Sequence, residues 1–402
     1  MSVKQSAERP EYPEPQWIIV AALMGVGILF MISAYSEEGL QFLLLYVVGI
    51  CIGFTLFHTN YGFSTVYKQL LEDGNTEMLR GHMQKLLIAG SLFALVLGTQ
   101  TAFFNENPEG AISPIGAGLI VGAFLFGFGM NIGSNLAPQA MRTMKGGRTA
   151  LLFTVSGFVV GSTAGAAHFP FWNHTLGGIG EISLADNTPL GYFGAWIVQS
   201  TIFIGVIIGT HLHQKRKMPP PLPKMPKGTH WREVIFLSWP IWVGATVFAL
   251  LNVAVLMIQG TPWKVTAAFT LWGSKLSQYV GFDPASWRYW GEEEAVTELT
   301  NSLFASSVGV LNMGIAVGAL LTMALAGLMR FSKISLQAAA VALLGGLLMG
   351  YGAAISFGAN VGAYFSGIAS MSLHAWLWTF MAVAGVYTAY YASRKLPFLK
   401  SN

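Results

Sequence analysis

Apolar residues gather in long blocks separated by short charged or turn-rich stretches, the spacing of bilayer-crossing helices, which need about 20 mostly apolar residues each. Ten blocks stand out, at 17–34, 41–57, 83–103, 112–132, 149–168, 190–211, 234–258, 302–328, 336–355 and 373–391. They predict an all-α polytopic membrane protein. The leader before the first block carries Glu8, Glu11 and Glu14 beside Lys4 and Arg9, and the block is long for a cleaved signal, so it reads as a retained first span.

The connections set the orientation. With the N-terminus in the cytoplasm, 19 of the 22 Lys and Arg residues fall on the cytoplasmic side, Lys85 among them, leaving Lys264, Lys275 and Arg288 outside. Such an excess marks cytoplasmic loops. Glu37, Glu38, Glu106, Glu109, Glu181, Asp186 and Asp283 lean to the outer loops. Both termini are therefore expected in the cytoplasm and the chain in the cytoplasmic (inner) membrane. A Lys/Pro stretch at 214–233 favours extended, semi-rigid geometry. It divides a tail (1–16) and a first half (17–213) from a second half (234–391) and a closing tail (392–402).

Composition agrees with lipid as the solvent: 53% of residues are hydrophobic and 10% charged, with a mean hydropathy of +0.54. The formal charge of +4 is explained by loop asymmetry, so no nucleic-acid partner is implied. The single cysteine, Cys51, excludes an internal disulfide and a thiolate metal site.

The two halves share punctuation. Gly122, Gly127 and Gly129 recur at a constant offset of 223 positions as Gly345, Gly350 and Gly352. Each trio precedes a small, polar cluster, Asn131-Ile-Gly-Ser134-Asn135-Leu136-Ala-Pro in one half and Ser356-Phe-Gly-Ala359-Asn360-Val-Gly-Ala in the other. Gly49 and Gly53 are echoed by Gly314 and Gly318, a small-xxx-small spacing that suits close helix packing. Irregular backbone at membrane depth survives only where protein buries it or it lines a cavity. Short half-penetrating helices are therefore expected after each polar cluster, at 137–144 and 361–371, within two inverted-repeat halves. A third break is expected at 61–65, with Ser64 or Thr65 capping a short helix through Leu71.

Away from their ends the ten blocks hold no Asp, Glu, Lys or Arg. Carboxylate proton relays and hydrolytic or redox catalysis are disfavoured accordingly, so neither an enzyme nor a cofactor is expected. His58, His82, His211, His213 and His230 read as cytoplasmic-end or loop residues, and His168, His174 and His374 as lying near the outer face. What remains is a set of neutral dipoles, Ser64, Thr65, Asn131, Ser134, Asn135, Asn312, Ser356 and Asn360, near helix N-termini. Such a set suits a small anion, because backbone amides can replace its hydration.

The stretches Gly127-Phe-Gly-Met130, Gly345-Gly-Leu-Leu-Met-Gly-Tyr-Gly352 and Gly358-Ala-Asn-Val-Gly-Ala-Tyr-Phe-Ser-Gly-Ile-Ala-Ser-Met-Ser-Leu-His-Ala-Trp-Leu-Trp378 resemble the YeeE/YedE membrane family, from about Val48 onward. The resemblance implies thiosulfate uptake, an inverted repeat and short central helices around a narrow route. It also implies a cysteine in each of three motifs. Here those positions are Ser64, Leu136 and Ala359, so no thiol relay is available. Serine still donates a hydrogen bond, whereas Leu136 and Ala359 make a drier constriction.

The resulting expectation is an inner-membrane permease for a small sulfur-containing anion, its route lined by Ser64, Thr65, Asn131, Ser134, Asn135, Leu136, Ser356, Ala359 and Asn360. The sequence leaves open a membrane-embedded partner that anchors or supplies a cytoplasmic sulfur-carrier protein through the basic linker.

Overall fold

The computed structural model describes residues 13–59, 63–72, 74–134, 147–217, 239–291, 293–329, 331 and 333–396. Helices dominate: α1 (Trp17–Glu38), α2 (Leu40–Thr59), α3 (Phe63–Glu72), α4 (Glu77–Thr99), α5 (Ala117–Ser134), α6 (Gly147–Pro170) and α7 (Gly191–Lys217). They continue as α8 (Ile241–Gln259), α9 (Val265–Gln278), α10 (Glu293–Thr300), α11 (Ser307–Leu325), α12 (Leu336–Ile355) and α13 (Leu373–Lys395). Among the described residues, eight helical stretches are long and apolar enough to cross a membrane. Each of the ten apolar blocks overlaps a helix, although α5 and α13, which cover two of them, are not among these eight. The chain is an all-α polytopic membrane protein, with two short strands, β1 (Pro114–Gly116) and β2 (Gly178–Glu181), pairing antiparallel.

Two ends of the bundle are tied by loop contacts. At one, the Gln16 amide brackets Met329, donating to its carbonyl at 3.2 Å and accepting from its N–H at 2.9 Å. His58 stacks on Trp239 at the same end, with ring centroids 5.2 Å apart. At the other, the Phe103 N–H donates to Met257 O and the Glu109 N–H to Gly260 O. There Ser183 also bridges to Ser372. The outer helices carry bare apolar side chains such as Ile18, Phe193 and Phe380, as contact with acyl chains requires.

Glycine sets the closest helix approaches. A Cβ on Gly122 would stand 2.5 Å from Gly352 O, and one on Gly129 would stand 2.7 Å from Gly345 O. Gly345 and Gly352 are blocked in return by backbone atoms of Gly133 and Phe126, each at 2.7 Å. The repeat mates thus meet crosswise: Gly122 faces the counterpart of Gly129, and Gly129 the counterpart of Gly122. Helices α5 and α12 are therefore antiparallel across a shared pseudo-twofold, the reciprocal contact pattern of an isologous interface. Gly127 abuts the α13 backbone at Ala382, and Gly350 abuts α6 at Phe158. The Gly49/Gly314 echo is different. Gly49 and Gly53 face Gly314 and Ala319 in the same chain order, so α2 and α11 pack parallel.

One sequence expectation is corrected. Helix α4 begins at Glu77, six positions before its apolar block, so it takes in His82, and both His82 and Lys85 are buried in the bundle instead of lying in a connection. Helix α5 runs through Asn131 to Ser134, and the rest of the first polar cluster lies outside the described residues. The half-helix expected at 137–144 and nearly all of the basic linker lie outside the described residues; α7 extends through Lys217.

Candidate functional site

The second polar cluster forms a sharp break. Helix α12 ends at Ile355, and the Ser356 hydroxyl lies 2.7 Å from Gly352 O and 3.3 Å from Gly358 O, placed to donate to these carbonyls. Phe357 (φ 62°) and Gly358 (φ 148°) then turn the chain through backbone geometry that side-chain-bearing residues rarely adopt. A Cβ at Gly358 would sit 2.8 Å from Ala363 N, so glycine is required there on two counts. Ala359 is extended, and its carbonyl accepts from Ala363 N–H at 2.8 Å, opening a π-wound segment, Asn360–Ser366, that runs into an α-turn, Gly367–Ala369. Such π turns are rare and recur at functional sites.

This segment meets α3 in the core. The Phe63 ring, in the first turn of α3, lies 5.2 Å from Tyr364 and 5.8 Å from Trp378. Phe126 of α5 approaches the same indole at 5.3 Å. Trp378 on α13 is fully buried, and its Nε1–H donates to Ser356 Oγ at 3.1 Å. One side chain thus gathers α3, α5, the break and the π-wound segment. Edge-to-face aromatic packing of this kind favours a fixed geometry.

The sequence-derived site residues fall around it unevenly. Ser64 is buried one residue beyond Phe63, within the first turn of α3 and not at its cap; Thr65 is half-buried. Ser356 and Ala359 are buried, and Asn360 starts the π-wound segment half-buried. Asn131 is buried in the last turn of α5. Ser134 ends α5, while Asn135 and Leu136 lie outside the described residues. Asn312 stands apart on α11, where its Oδ1 accepts from Trp263 Nε1–H at 3.2 Å and its Nδ2 donates to Val308 O.

Sequence reasoning missed the cation at this centre. Lys85 Nζ sits 5.5 Å from the Phe248 centroid, 5.6 Å from Tyr364 and 5.5 Å from Phe365, within cation–π range of all three. Phe248 belongs to α8, and the other two rings belong to the π-wound segment. His82, also buried, stacks on Tyr364 with centroids 6.2 Å apart. The signal was present, since Lys85 precedes Leu86, Leu87 and Ile88 on a helix that had already begun. Nearby, the Ser366 hydroxyl reaches Trp263 O at 3.5 Å. Among the described residues no group of three or more His, Cys, Asp or Glu could hold a metal ion. Cys51 is exposed on α2, away from these contacts.

Bilayer-length helices around two short helices whose aromatic residues meet in the core define a multi-pass membrane protein with an internal polar centre. Its sequence matches the model of the sulphur transport family over residues 58–388, and the chain belongs to that family. It is 30% identical over 166 residues, 39% of each chain, to the probable transporter YedE of Escherichia coli strain K12. Over 138 residues, 34% of this chain and 33% of the relative, it is 30% identical to the probable transporter YedE of Salmonella typhimurium strain LT2. The matched stretches span well under half the length of either relative.

Proposed function

We propose that the protein is a permease of the cytoplasmic membrane for a small sulfur-containing anion, thiosulfate or a related oxyanion, with both termini in the cytoplasm. The observation that carries this reading is the meeting of α3 with the π-wound segment at Phe63 and Tyr364, beside buried Ser64, Ser356 and Ala359. A short helix buried in a membrane bundle presents amides to the interior, where they can stand in for the hydration of an anion. Family membership supports sulfur compounds as the cargo. Ser64 takes the place of a thiol, so passage relies on hydroxyl, amide and carboxamide donors. The contacts are weak enough for release, as conduction demands. Uptake of radiolabelled thiosulfate, sulfite and sulfate into proteoliposomes tests the reading. Flux of at least one above empty vesicles is expected; folded protein that carries none of them rejects it.

A further inference from the structure

We infer that the groove between α4 and α7, at the end of the bundle that holds Trp239 and Met329, is a binding site for a phospholipid with an anionic headgroup. Its placement in the inner leaflet rests on the proposed orientation; the site itself does not depend on transport.

The two helices are tied above and below an opening. Trp196 Nε1–H donates to Ser91 Oγ at 2.8 Å, and the Thr76 hydroxyl lies 3.0 Å from Thr210 O and 3.1 Å from Gln214 Oε1. Between these ties a cavity of about 440 Å³ is lined by Arg80, Gln84, Ile207, Ile208, His211 and Leu212. Sites for small organic ligands span about 300–1,000 Å³.

Polar and apolar groups are sorted along the groove. Arg80 is half-buried, and its guanidinium donates through one nitrogen to Thr76 Oγ1 at 3.1 Å. That bond fixes a planar fork whose five donors match the oxygens of a phosphate. His211 stands on α7, with Lys215 one turn further along the same face. Glu77, three residues before Arg80, offsets one charge, and Lys215 and Arg216 leave the mouth positive. Ile207, Ile208 and Leu212 form the apolar part, and α7 also bares Phe193, Ile197 and Ile204.

Depth decides between a lipid and a water-borne anion. Gln84 Nε2 donates to Trp242 O at 3.2 Å and to Thr246 Oγ1 at 3.1 Å, so α8 flanks the groove. Trp242 is 62% exposed at the start of α8, and exposed tryptophans gather at the headgroup level. Arg80 lies one helical turn outward of Gln84, beside the level of a lipid phosphate, and the isoleucines run back toward the acyl chains. Basic pockets between spanning helices on this side of a membrane take anionic headgroups. Helix α7 buries little of itself in the bundle, so a lipid in the groove fastens a helix that the chain holds loosely.

The full-length protein is purified in detergent, stripped of lipid and titrated with phosphatidylglycerol or phosphatidylcholine in mixed micelles. Native mass spectrometry reads bound lipid, and melting temperature reads stability. Wild type is expected to hold phosphatidylglycerol at least about tenfold more tightly than phosphatidylcholine, the selectivity that a charged hydrogen bond supplies. Arg80→Gln should lose most of that preference, whereas Lys395→Gln, which removes a charge at the end of α13, should keep it. Ile208→Trp fills the groove from an exposed position and should lower retention of both lipids; it keeps the test open should Arg80→Gln not fold.

Equal retention of the two lipids by wild type overturns the inference. So does a preference that survives Arg80→Gln, or retention untouched by Ile208→Trp. Equal stabilisation by inorganic phosphate makes this a free-anion site and overturns it as well, as does a dimer whose interface keeps lipid out of the groove. None of these readouts involves flux. A protein that carries no sulfur anion leaves the lipid site standing, and a lost lipid preference leaves the permease reading standing.

Discussion

The Trp378 indole N–H donates to Ser356 Oγ at 3.1 Å, tying the middle of the bundle to the point where α12 stops. The hydroxyl is also placed to donate to Gly352 O and Gly358 O, so one small side chain completes the hydrogen bonding of a chain reversal buried in the core. Its loss would orphan a buried indole donor.

Ser356→Ala is therefore expected to cost about 1–3 kcal/mol, the penalty for leaving a buried polar group without its partner. A lowered melting temperature in detergent checks this. Trp378→Phe, which removes the donor and keeps an aromatic ring, should restore part of the loss in the double variant; additive effects would show that the hydrogen bond is not the cause.

Ser64→Ala and Asn360→Leu are each expected to slow uptake with unchanged expression. Losing one neutral donor worth about 1 kcal/mol corresponds to roughly fivefold in affinity. Initial rates across a thiosulfate series should show the change; wild-type rates in both variants would move the site elsewhere.

Cysteine at positions 64, 136 and 359, in place of Ser64, Leu136 and Ala359, is expected to shift preference toward thiosulfate. Competition between labelled thiosulfate and unlabelled sulfate reads the shift. An unchanged ratio would mean that thiols are not what selects the cargo in this bundle.

Gly129→Leu and Gly352→Leu are expected to be severely destabilising, since either side chain would have to occupy space held by facing backbone. Overpacking of this kind costs about 1–3 kcal/mol even where neighbours can move, and backbone at 2.7 Å cannot move without shifting a helix. Gly25→Leu is the control, because nothing lies within 4 Å of its Cβ position. Its melting temperature should match that of wild type.

Much of the architecture was legible in the sequence because lipid imposes a length and a composition on every crossing. The glycine offset of 223 positions marked the two helices that now face one another as α5 and α12. Helix starts were less legible. The apolar block at 83–103 begins after Arg80 and His82, whereas α4 begins at Glu77 and takes both with it. Three aromatic rings, brought from helices far apart in the chain, make a cation tolerable inside the bundle, and no local pattern announces them. In the first half the accumulation of Gly, Ser and Asn coincides with the end of α5 at Ser134. At Ser356 the same residue types also end a helix, where Phe357 and Gly358 take left-handed torsions.

Where the glycines of α5 and α12 cross, main chain comes up against main chain, with the side chains of Leu348, Ile355 and Ser356 closing in beside it. A side chain at Gly122, Gly129, Gly345 or Gly352 would strike facing backbone, so any larger residue in that seam would have to push the two helices apart.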